Sequence, residues 1–599
     1  MTESKPAAPG VRWNLNDLYT SYTDPQVEQD LHKAKEMAAA FEAAYKSLLD
    51  SPHLPFPIGS LLKDYKAIMT LAARLGSFAH LAFAEKTDSP EAGAFLQKIQ
   101  ARLTDIQSHL VFFDVLWARL PESTARKITD QPEAAPYRHF LEVMRIYAPH
   151  TLSEPEEKIL AEKANTSSRA FGRLFDEVLN NMAFLYDGSP KTESEVLALL
   201  HSPNRDVRRK ASESLGAGLE ENTRVLAFIY NRILEDHRVT MKLRHYKHPM
   251  DMRNLANETA LGPVLGLIES VKKAYPLAQR YYRLKGKLLG LTELFDYDRY
   301  APLEKSSTRI SFDECKTIVL EGYNAFSKEA GAIAEMFFEK KWIDAEVRPG
   351  KRGGGFCAQT TPELHPYILV NYTGSLRDVM TVAHEVGHGL HQVLAGKRVG
   401  ILESGAPLTM AETASVFGEM LIFEKVLEKE RDPVKRLSLL AGKIDDNFAT
   451  VFRQIALTDF ELLAHENGLR EGELSADRLS DFWIGANASL YGESVTLTPA
   501  YRHGWKYIPH FIHSPFYCYA YAFAQLFVFA LFRKYKESPK AFIPLYFEIL
   551  SLGGSRKPEE IAAIAGLDIQ KPDFWNLGLG VLEELVSEAE ALAGEIKAF

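Results

Sequence analysis

Apolar residues recur at helical spacing through most of the first 300 positions of this 599-residue chain. Between Gln26 and Leu49 they stand three and four apart, which places them on one helix face, and the proline-rich run at 51–59 ends the pattern. Ser153 and Thr192 each precede a glutamate by three positions, which is the capping-box signature of a helix start. The same periodicity predicts further helices over 61–84, 90–118, 153–181 and 204–243.

The pattern changes between Ala345 and Tyr372. Glycines and prolines surround two short β-rich runs there, 355–360 and 366–372, which predict a small sheet or hairpin inside a helical protein. The glycine run at 350–355 lacks the Gly-Lys-Ser/Thr ending of a phosphate loop, so we interpret it as flexible backbone at a strand entrance. Helical spacing then returns over 378–394, 410–429, 433–463, 476–491, 515–536, 540–551, 557–565 and 578–597.

Composition narrows the function classes. A formal charge of −9 gives the chain no basic field, so nucleic acid is not expected as a partner. The three cysteines are widely spaced, and the first ten residues show no secretory signal, which together favour the cytoplasm. The uncharged stretch from Phe516 to Phe532 approaches the length of a membrane span, but its tyrosines and glutamine favour a buried helix.

The segment His384-Glu385-Val386-Gly387-His388 carries the clearest chemical signal. Positions four apart stack on one face of a helix, so the two imidazoles can meet one metal ion while Glu385 projects beside them. Zinc suits nitrogen ligands, and a catalytic zinc site needs three protein ligands with one position open to water. The competing interpretation is an ordinary helix with two coincidental histidines.

A histidine does not readily supply the third ligand. His391 shares the face, but it lies about 10.5 Å from His384 along the axis at 1.5 Å per residue. The metzincin pattern would need a histidine ten positions after His384, where the chain has Leu394.

Three downstream carboxylates compete for this role: Glu403, Glu412 and Glu419. In the predicted helix 410–429, Glu412, Ser415 and Glu419 share one face, so one carboxylate can bind the metal while its neighbours orient the site.

These residues resemble a known family. HEVGHGLH followed by AETASVFGE, with Glu412 standing 24 positions after His388 (412 − 388 = 24), is similar to the oligoendopeptidase F branch of the thimet oligopeptidase family of zinc peptidases. The likeness extends over nearly the whole chain, through Trp13 to Tyr19, LSEPEEKIL, FGRLFDEV, Gly350 to Phe356, and Pro366 to Tyr372.

The resemblance implies a mainly α fold: a large helical zincin-type peptidase with a small β-sheet beside the metal-binding helix, enclosing a deep cleft. It also implies three segments: an N-terminal helical region at 1–110, a helical N-terminal family domain at 111–200, and a catalytic zinc-peptidase domain at 201–599.

The implied activity is endopeptidase cleavage of short oligopeptides. One zinc ion per chain would be held by His384, His388 and Glu412, with Glu385 as general base. Oligopeptides are then the expected partners, with no nucleic acid and no membrane.

The family also has a His/Tyr cluster on a C-terminal helix, which matches His510, Tyr517 and Tyr521 here. Such donors would stabilise the oxyanion of peptide hydrolysis. Tyr519 would point elsewhere, and His513 stands where the chain departs from the family pattern. The alternative is that this aromatic stripe is core packing.

Two further questions stay open in the sequence. The strand at 367–371 is hypothesised to pair with an extended peptide as an added strand. The rival functions are a peptidyl dipeptidase or carboxypeptidase, whose terminal clamp the sequence does not locate, and a non-catalytic helical peptide-binding protein.

Overall fold

The computed structural model describes residues 7–303, 309–571 and 573–596. The helices up to residue 288 are α1 (Pro25–Asp50), α2 (Ile58–Glu85), α3 (Pro90–Ser108), α4 (Val111–Arg119), α5 (Glu122–Thr129), α6 (Arg138–Ile146), α7 (Glu154–Ala164), α8 (Ser168–Asn181), α9 (Glu193–Leu199), α10 (Arg205–Glu221), α11 (Thr223–Leu243), α12 (Asp251–Ala256), α13 (Leu261–Lys273) and α14 (Tyr275–Leu288).

The later helices are α15 (Phe312–Phe326), α16 (Lys328–Glu339), α17 (Leu376–Val399), α18 (Leu408–Ala411), α19 (Ser415–Lys429), α20 (Pro433–Thr450), α21 (Phe452–Glu471), α22 (Ala476–Tyr491), α23 (His510–His513), α24 (Cys518–Glu537), α25 (Pro539–Ser551), α26 (Pro558–Ile564) and α27 (Phe574–Ile596). The strands are β1 (Phe184–Tyr186), β2 (Ser189–Lys191), β3 (Ile343–Asp344), β4 (Phe356–Ala358) and β5 (Tyr367–Leu369). Short 3-10 helices cover Leu15–Asp17, Pro132–Tyr137, Ala148–His150, Asp296–Asp298, Gly492–Ser494 and Pro499–Tyr507. The expected mainly α fold class is confirmed.

The chain divides into two compact units, each built from three stretches of sequence. Unit 1 contains Met1–Ala148, Ser307–Val426 and Lys534–Gly566, and unit 2 contains Pro149–Ser306, Leu427–Arg533 and Leu567–Phe599. Each unit has its own aromatic core. Phe41, Phe113 and Trp117 are central in unit 1, whereas Tyr230, Phe460 and Trp483 are central in unit 2.

Both predicted capping boxes are present, at Ser153 and at Thr192. The helix predicted over 204–243 is instead two helices, α10 and α11, separated at Asn222. The Asn222 side chain donates to the carbonyl oxygen of Gly218 at 3.1 Å, and such local bonds compete with helix continuation. Periodicity alone does not report this break, because both halves bury their apolar faces. The helices predicted over 90–118, 153–181, 410–429 and 433–463 are divided in the same way.

The small sheet has the order β3-β5-β4, with β5 parallel to β3 and antiparallel to β4. β5 is therefore the middle strand, and its two edges are already paired. The hypothesis that a peptide adds to 367–371 is wrong for this reason. The outer strands are β3 and β4. The helix α17, which carries the two motif histidines, packs against β4 and β5, so β4 is the edge strand beside it.

The glycine run before β4 is held by Lys351. Its buried Nζ donates to the carbonyl oxygens of Asp344 at 3.1 Å and Val370 at 2.6 Å, and lies 2.7 Å from an Asp344 carboxylate oxygen. The Lys351 ammonium is therefore occupied by protein groups. The loop leads directly into β4, so it is a strand entrance, as the sequence indicated.

The uncharged stretch at 516–532 falls largely within α24, whose side chains are mostly buried, as predicted. Judged by length and composition alone, α2 is the one helix among the described residues that could cross a bilayer. A second candidate is the pair Pro499–His513 and Cys518–Glu537, which is bent by 82°. Core helices of soluble proteins pass the same test, so this evidence is weak.

Candidate metal centre and associated residues

The helix α17 presents the motif histidines from a well-defined start. Ser375 and Asp378 form a capping box, and the Asp378 side chain also accepts backbone N–H groups from the preceding turn. The helix ends at Gly400, whose φ of +71° suits glycine. His384 and His388 thus lie one turn apart in the middle of a rigid helix.

Three side-chain atoms converge on one point in unit 1. The Nε2 atoms of His384 and His388 are 3.2 Å apart, and Glu412 Oε2 lies 3.2 Å from the first and 3.4 Å from the second. Among the described residues, this is the one group of three potential ligands close enough to share a metal ion. The side chains are partly exposed, so an ion and a water molecule could reach them.

This triangle has the dimensions of a zinc site. With zinc bonds of about 2.0–2.1 Å at tetrahedral angles, any two ligand atoms stand about 3.3 Å apart. All three separations here fall close to that value. Two imidazole nitrogens and one carboxylate oxygen are also the donor types that zinc accepts in catalytic sites. The residues therefore fit the metal.

Glu412 reaches the histidines from a turn, not from a helix. It follows α18 and precedes α19, so the prediction of a continuous helix over 410–429 is wrong at this residue. Its Oε2 nevertheless accepts a hydrogen bond from Ser415 Oγ at 2.6 Å, so this neighbour does contact the carboxylate.

Gly387 explains how this turn comes so close to α17. A Cβ atom at Gly387 would lie 2.5 Å from the carbonyl oxygen of Ala414 and 2.7 Å from Cα of Ser415. Only glycine lets the two backbones approach to this distance. Gly387 has no side chain that could bind a metal or transfer a proton, but its lack of a Cβ atom allows the turn after Glu412 to approach α17.

Glu419 orients one of the histidines. Its Oε1 lies 2.6 Å from His384 Nδ1, which leaves Nε2 of that ring directed at the proposed metal position. Burial opposes protonation of His384, but its hydrogen bonds to Glu412 and Glu419 outweigh burial and raise its pKa well above the usual value. Burial likewise opposes ionisation of Glu412, yet hydrogen bonds from the two histidines lower its pKa well below its usual value. The group thus favours positive charge at its centre.

Glu385 lies on the same helix with one oxygen unsatisfied. Its side chain is buried, and Oε2 has no hydrogen-bond partner among the described residues. Burial raises its pKa, although the two motif histidines oppose the shift. A buried carboxyl oxygen without a partner costs free energy, which a water molecule in the site would recover.

The competing candidates have structural partners instead. His391 forms a hydrogen bond with the backbone of Ala411, and burial lowers the pKa of His391 to about 4. Glu403 is buried, and its Oε1 accepts the backbone N–H of Phe140 at 2.9 Å. Neither belongs to the converging group of three.

The predicted donors form a cluster of their own in unit 2. His510 Nε2 lies 3.2 Å from Tyr521 Oη, and the rings of His510, Tyr517 and Tyr521 have centroid separations of 5.2 to 5.8 Å. These three side chains are partly exposed. Burial lowers the pKa of His510, and the positive charge of Arg453 lowers it further, which favours the neutral imidazole.

Tyr519 and His513 point elsewhere. The buried Tyr519 hydroxyl donates to Asn254 Oδ1 at 2.7 Å and accepts from Asn257 Nδ2 at 2.9 Å. His513 pairs with Asp176 at 2.8 Å on an exposed part of unit 2. The interpretation of Tyr519 as facing away from the cluster agrees with this placement.

The sequence analysis missed one residue behind this cluster, Glu461. It is fully buried on α21, and its Oε1 accepts the backbone N–H of Phe516 at 2.9 Å. Phe516 has a φ of +58°, a conformation uncommon for a non-glycine residue, and it directly precedes Tyr517. A glutamate flanked by Phe460, Leu462 and Leu463 was the signal available in the sequence.

Comparison with known proteins agrees with this fold and site. Residues 198–581 match Peptidase family M3, and residues 117–184 match the family described as Oligopeptidase F. Oligopeptidase PepF of Bacillus subtilis is 26% identical, covering 98% of this chain and 88% of the relative. The plasmid-encoded oligoendopeptidase F of Lactococcus lactis subsp. cremoris is 26% identical, covering 97% of each chain.

Solved structures show the same architecture. A structure from Chlamydophila abortus superposes with a TM-score of 0.87 at 25% identity, covering 97% of this chain and 98% of that one. Oligoendopeptidase-F from Enterococcus faecium superposes with a TM-score of 0.69 at 22% identity, covering 95% of this chain and 98% of that one, and that likeness concerns the fold alone.

The fold and the matched residues define a helical metalloendopeptidase. This chain belongs to peptidase family M3, in its oligoendopeptidase F branch. The resemblance and the enzyme class inferred from the sequence are confirmed, as is an oligopeptide endopeptidase activity at that level of detail.

Proposed function

We propose that this protein is a zinc-dependent endopeptidase that hydrolyses internal bonds of short oligopeptides in the cytoplasm. The observation that carries the proposal is the triangle of His384 Nε2, His388 Nε2 and Glu412 Oε2, with separations of 3.2 to 3.4 Å. Those separations match a tetrahedral zinc ion that keeps its fourth position for water. The free cysteines agree with a reducing compartment.

Zinc bound by these three residues would lower the pKa of water toward about 7 and polarise the scissile carbonyl. Glu385 is the residue proposed to accept the proton from the attacking water, because its buried Oε2 has no partner in the described part of the chain and its carboxyl lies within electrostatic reach of both motif histidines. The same carboxyl would then deliver the proton to the leaving amine. Glu419 would hold His384 in the ring orientation that binding requires.

His510, Tyr517 and Tyr521 are proposed as donors to the oxyanion. A neutral imidazole and a phenol each carry a hydrogen-bond donor, and donors placed in advance lower the barrier as negative charge develops on oxygen. Their mutual contacts hold them in one arrangement, which is what such a role requires.

The peptide backbone is proposed to add along β4. With β5 paired on both sides, β4 is an edge strand, and its neighbour Gly355 lies close to the base: a Cβ there would be 3.3 Å from Glu385 Oε1. An extended substrate bonded to this edge would be held in a regular conformation.

The proposal can be tested with an internally quenched peptide blocked at both ends. Purified enzyme should cleave an internal bond, lose activity after chelation, and recover it when one equivalent of zinc is restored. Mass spectrometry of the products gives the cleavage position. Zinc binding without any cleavage would favour the non-catalytic peptide binder. Cleavage only of peptides with a free terminus would favour the peptidyl dipeptidase or carboxypeptidase.

A further inference from the structure

Arg299 and Arg453 of unit 2 have no carboxylate within ion-pair distance among the described residues. Two other cations buried in this unit do have carboxylate partners: Arg208 pairs with Asp298 at 2.7 Å, and Lys285 pairs with Asp445. Arg299 is only 7% exposed, yet its guanidinium donates hydrogen bonds to two neutral groups, the carbonyl oxygen of Asp296 and the hydroxyl of Tyr491. The Asp296 carboxyl lies within electrostatic reach of Arg299 but forms no ion pair with it, so the buried charge is only partly compensated.

Aromatic rings surround the Arg299 guanidinium. Its Cζ lies 5.3 Å from the ring centroid of Tyr300 and 5.1 Å from those of Tyr491 and Tyr501. Tyr501 is itself fixed, because its hydroxyl lies 2.9 Å from Asn487 Oδ1. The rings spread the positive charge but do not neutralise it.

Arg453 stands in the first turn of α21 and is partly exposed. Its Nε is buried without an acceptor among the described residues. Tyr300, Tyr501, Tyr507 and Arg299 lie within electrostatic reach of its guanidinium. Two arginines and three phenols therefore lie close together. The carboxyl groups of Asp296 and Asp445 act on Arg299 and Tyr300, but among the described residues none is within ion-pair distance of Arg453, whose Nε is an unused donor.

The field of this region is strong enough to alter its neighbours. Burial would raise the pKa of Tyr300, but Arg453 and Arg299 outweigh burial and lower it. The charge of Arg453 also extends to His510, which belongs to the proposed donor cluster. An anion bound here would therefore lie close to the residues that contact substrate in the proposed mechanism.

We propose that Arg453, supported by Arg299 and the phenols of Tyr300, Tyr501 and Tyr507, binds a carboxylate of the peptide substrate. This inference rests on the proposed peptidase function and adds a determinant of substrate choice to it. A guanidinium with an unused N–H, backed by a second guanidinium, is suited to carboxylate recognition. The carboxylate has two sources, the C-terminus of the peptide or an acidic side chain.

Three peptides of one sequence separate these sources. The first ends in a free carboxylate and has no acidic residue, the second is its C-terminal amide, and the third is the amide with one glutamate. The wild-type enzyme should show a lower KM for a peptide that carries the carboxylate than for the neutral amide. Preference for the first peptide alone identifies a C-terminal clamp, and preference for the third alone identifies a side-chain subsite.

The variant Arg453→Gln should abolish this preference, raising KM for the carboxylate peptide by roughly tenfold to hundredfold, the range expected when a charged hydrogen bond is lost. Arg453→Lys keeps the charge without the forked donors and should retain part of the preference, which also shows that the site tolerates substitution. Arg470→Gln removes an exposed charge from the same helix and should keep the full preference.

Three outcomes would overturn the inference: a wild-type enzyme that cleaves all three peptides with equal KM, a preference that survives in Arg453→Gln, or equal loss in Arg470→Gln. Failure of the proposed function is distinct, because then the zinc-loaded wild type would cleave none of the peptides.

Discussion

The metal group of unit 1 and the arginine cluster of unit 2 have opposite imbalances of charge. Around His384 and His388 stand three carboxylates, Glu385, Glu412 and Glu419, and the group favours a cation. Around Arg299 and Arg453 stand several phenols, and among the described residues no carboxylate lies within ion-pair distance of either guanidinium. The metal group would gain a balancing charge from the proposed zinc, and Arg453 would gain one from the proposed carboxylate.

The two regions differ in how the sequence encodes them. Spacing on one helix places His384, Glu385 and His388 together, so two of the three proposed ligands and the proposed base are recognisable from a five-residue motif. Arg299 and Arg453 come from segments more than 150 positions apart (453 − 299 = 154), so no local sequence pattern indicates that they lie close together. Five variants, with matched controls, test this contrast, and they are given in order of decreasing expected effect.

Glu385→Gln should lower kcat by about a thousandfold while zinc stays bound, because the amide cannot accept the proton. The matched control is Glu403→Gln, since Glu403 is also a buried glutamate with one unpartnered oxygen, but its partner is the Phe140 amide. That control should keep its turnover. Steady-state kinetics with metal analysis measure both, and a fast Glu385→Gln enzyme would remove this residue as the base.

Tyr521→Phe and Tyr517→Phe should each lower kcat by about a hundredfold with little loss of stability, because each removes a proposed oxyanion donor. Tyr519→Phe is the control on the same helix segment. Its hydroxyl joins two buried asparagines, so that variant should lose stability and keep the turnover of the folded enzyme. Unchanged kcat in both donor variants would show that these tyrosines serve as core packing and do not act as oxyanion donors.

Glu419→Gln should weaken zinc binding by about 10- to 100-fold, because His384 loses a charged acceptor that fixes its ring. Glu424→Gln on the same helix removes a carboxylate that pairs with Lys536 and should leave zinc affinity unchanged. Competition with a chromogenic chelator measures the two constants, and equal affinities would show that Glu419 does not support the site.

Glu461→Gln should change how stability depends on pH. Burial raises the pKa of Glu461 to about 8, above its value of 4.5 in an unfolded chain. Between about pH 5 and pH 8 the folded state therefore holds a proton that the unfolded state has lost, and stability falls as pH rises, by up to about 1.4 kcal/mol per pH unit. The variant should lose this contribution and still accept the Phe516 amide.

Urea unfolding at pH 5, 6, 7 and 8 checks this prediction. The free energy of unfolding of the variant, relative to the wild type, should increase steadily across the series. A constant difference between the two proteins would mean that Glu461 is ionised in the folded state.

Much of the fold was predictable because amphipathic helices and their caps are local features. Ser153, Thr192 and the helix of His384 were all found from spacing. The pairing of β5 on both edges was not, because strand order depends on contacts between distant residues. The turn at Glu412 was missed because it depends on the close approach at Gly387, which only the packed structure reveals.

The central claim is that His384, His388 and Glu412 hold one zinc ion. The most direct measurement is the zinc dissociation constant of Glu412→Ala against the wild type, obtained by equilibrium competition with a chelator of known affinity. The account predicts one tight site per chain in the wild type and affinity at least about a hundredfold weaker in the variant. Equal affinities would contradict it and would move the third ligand to another residue.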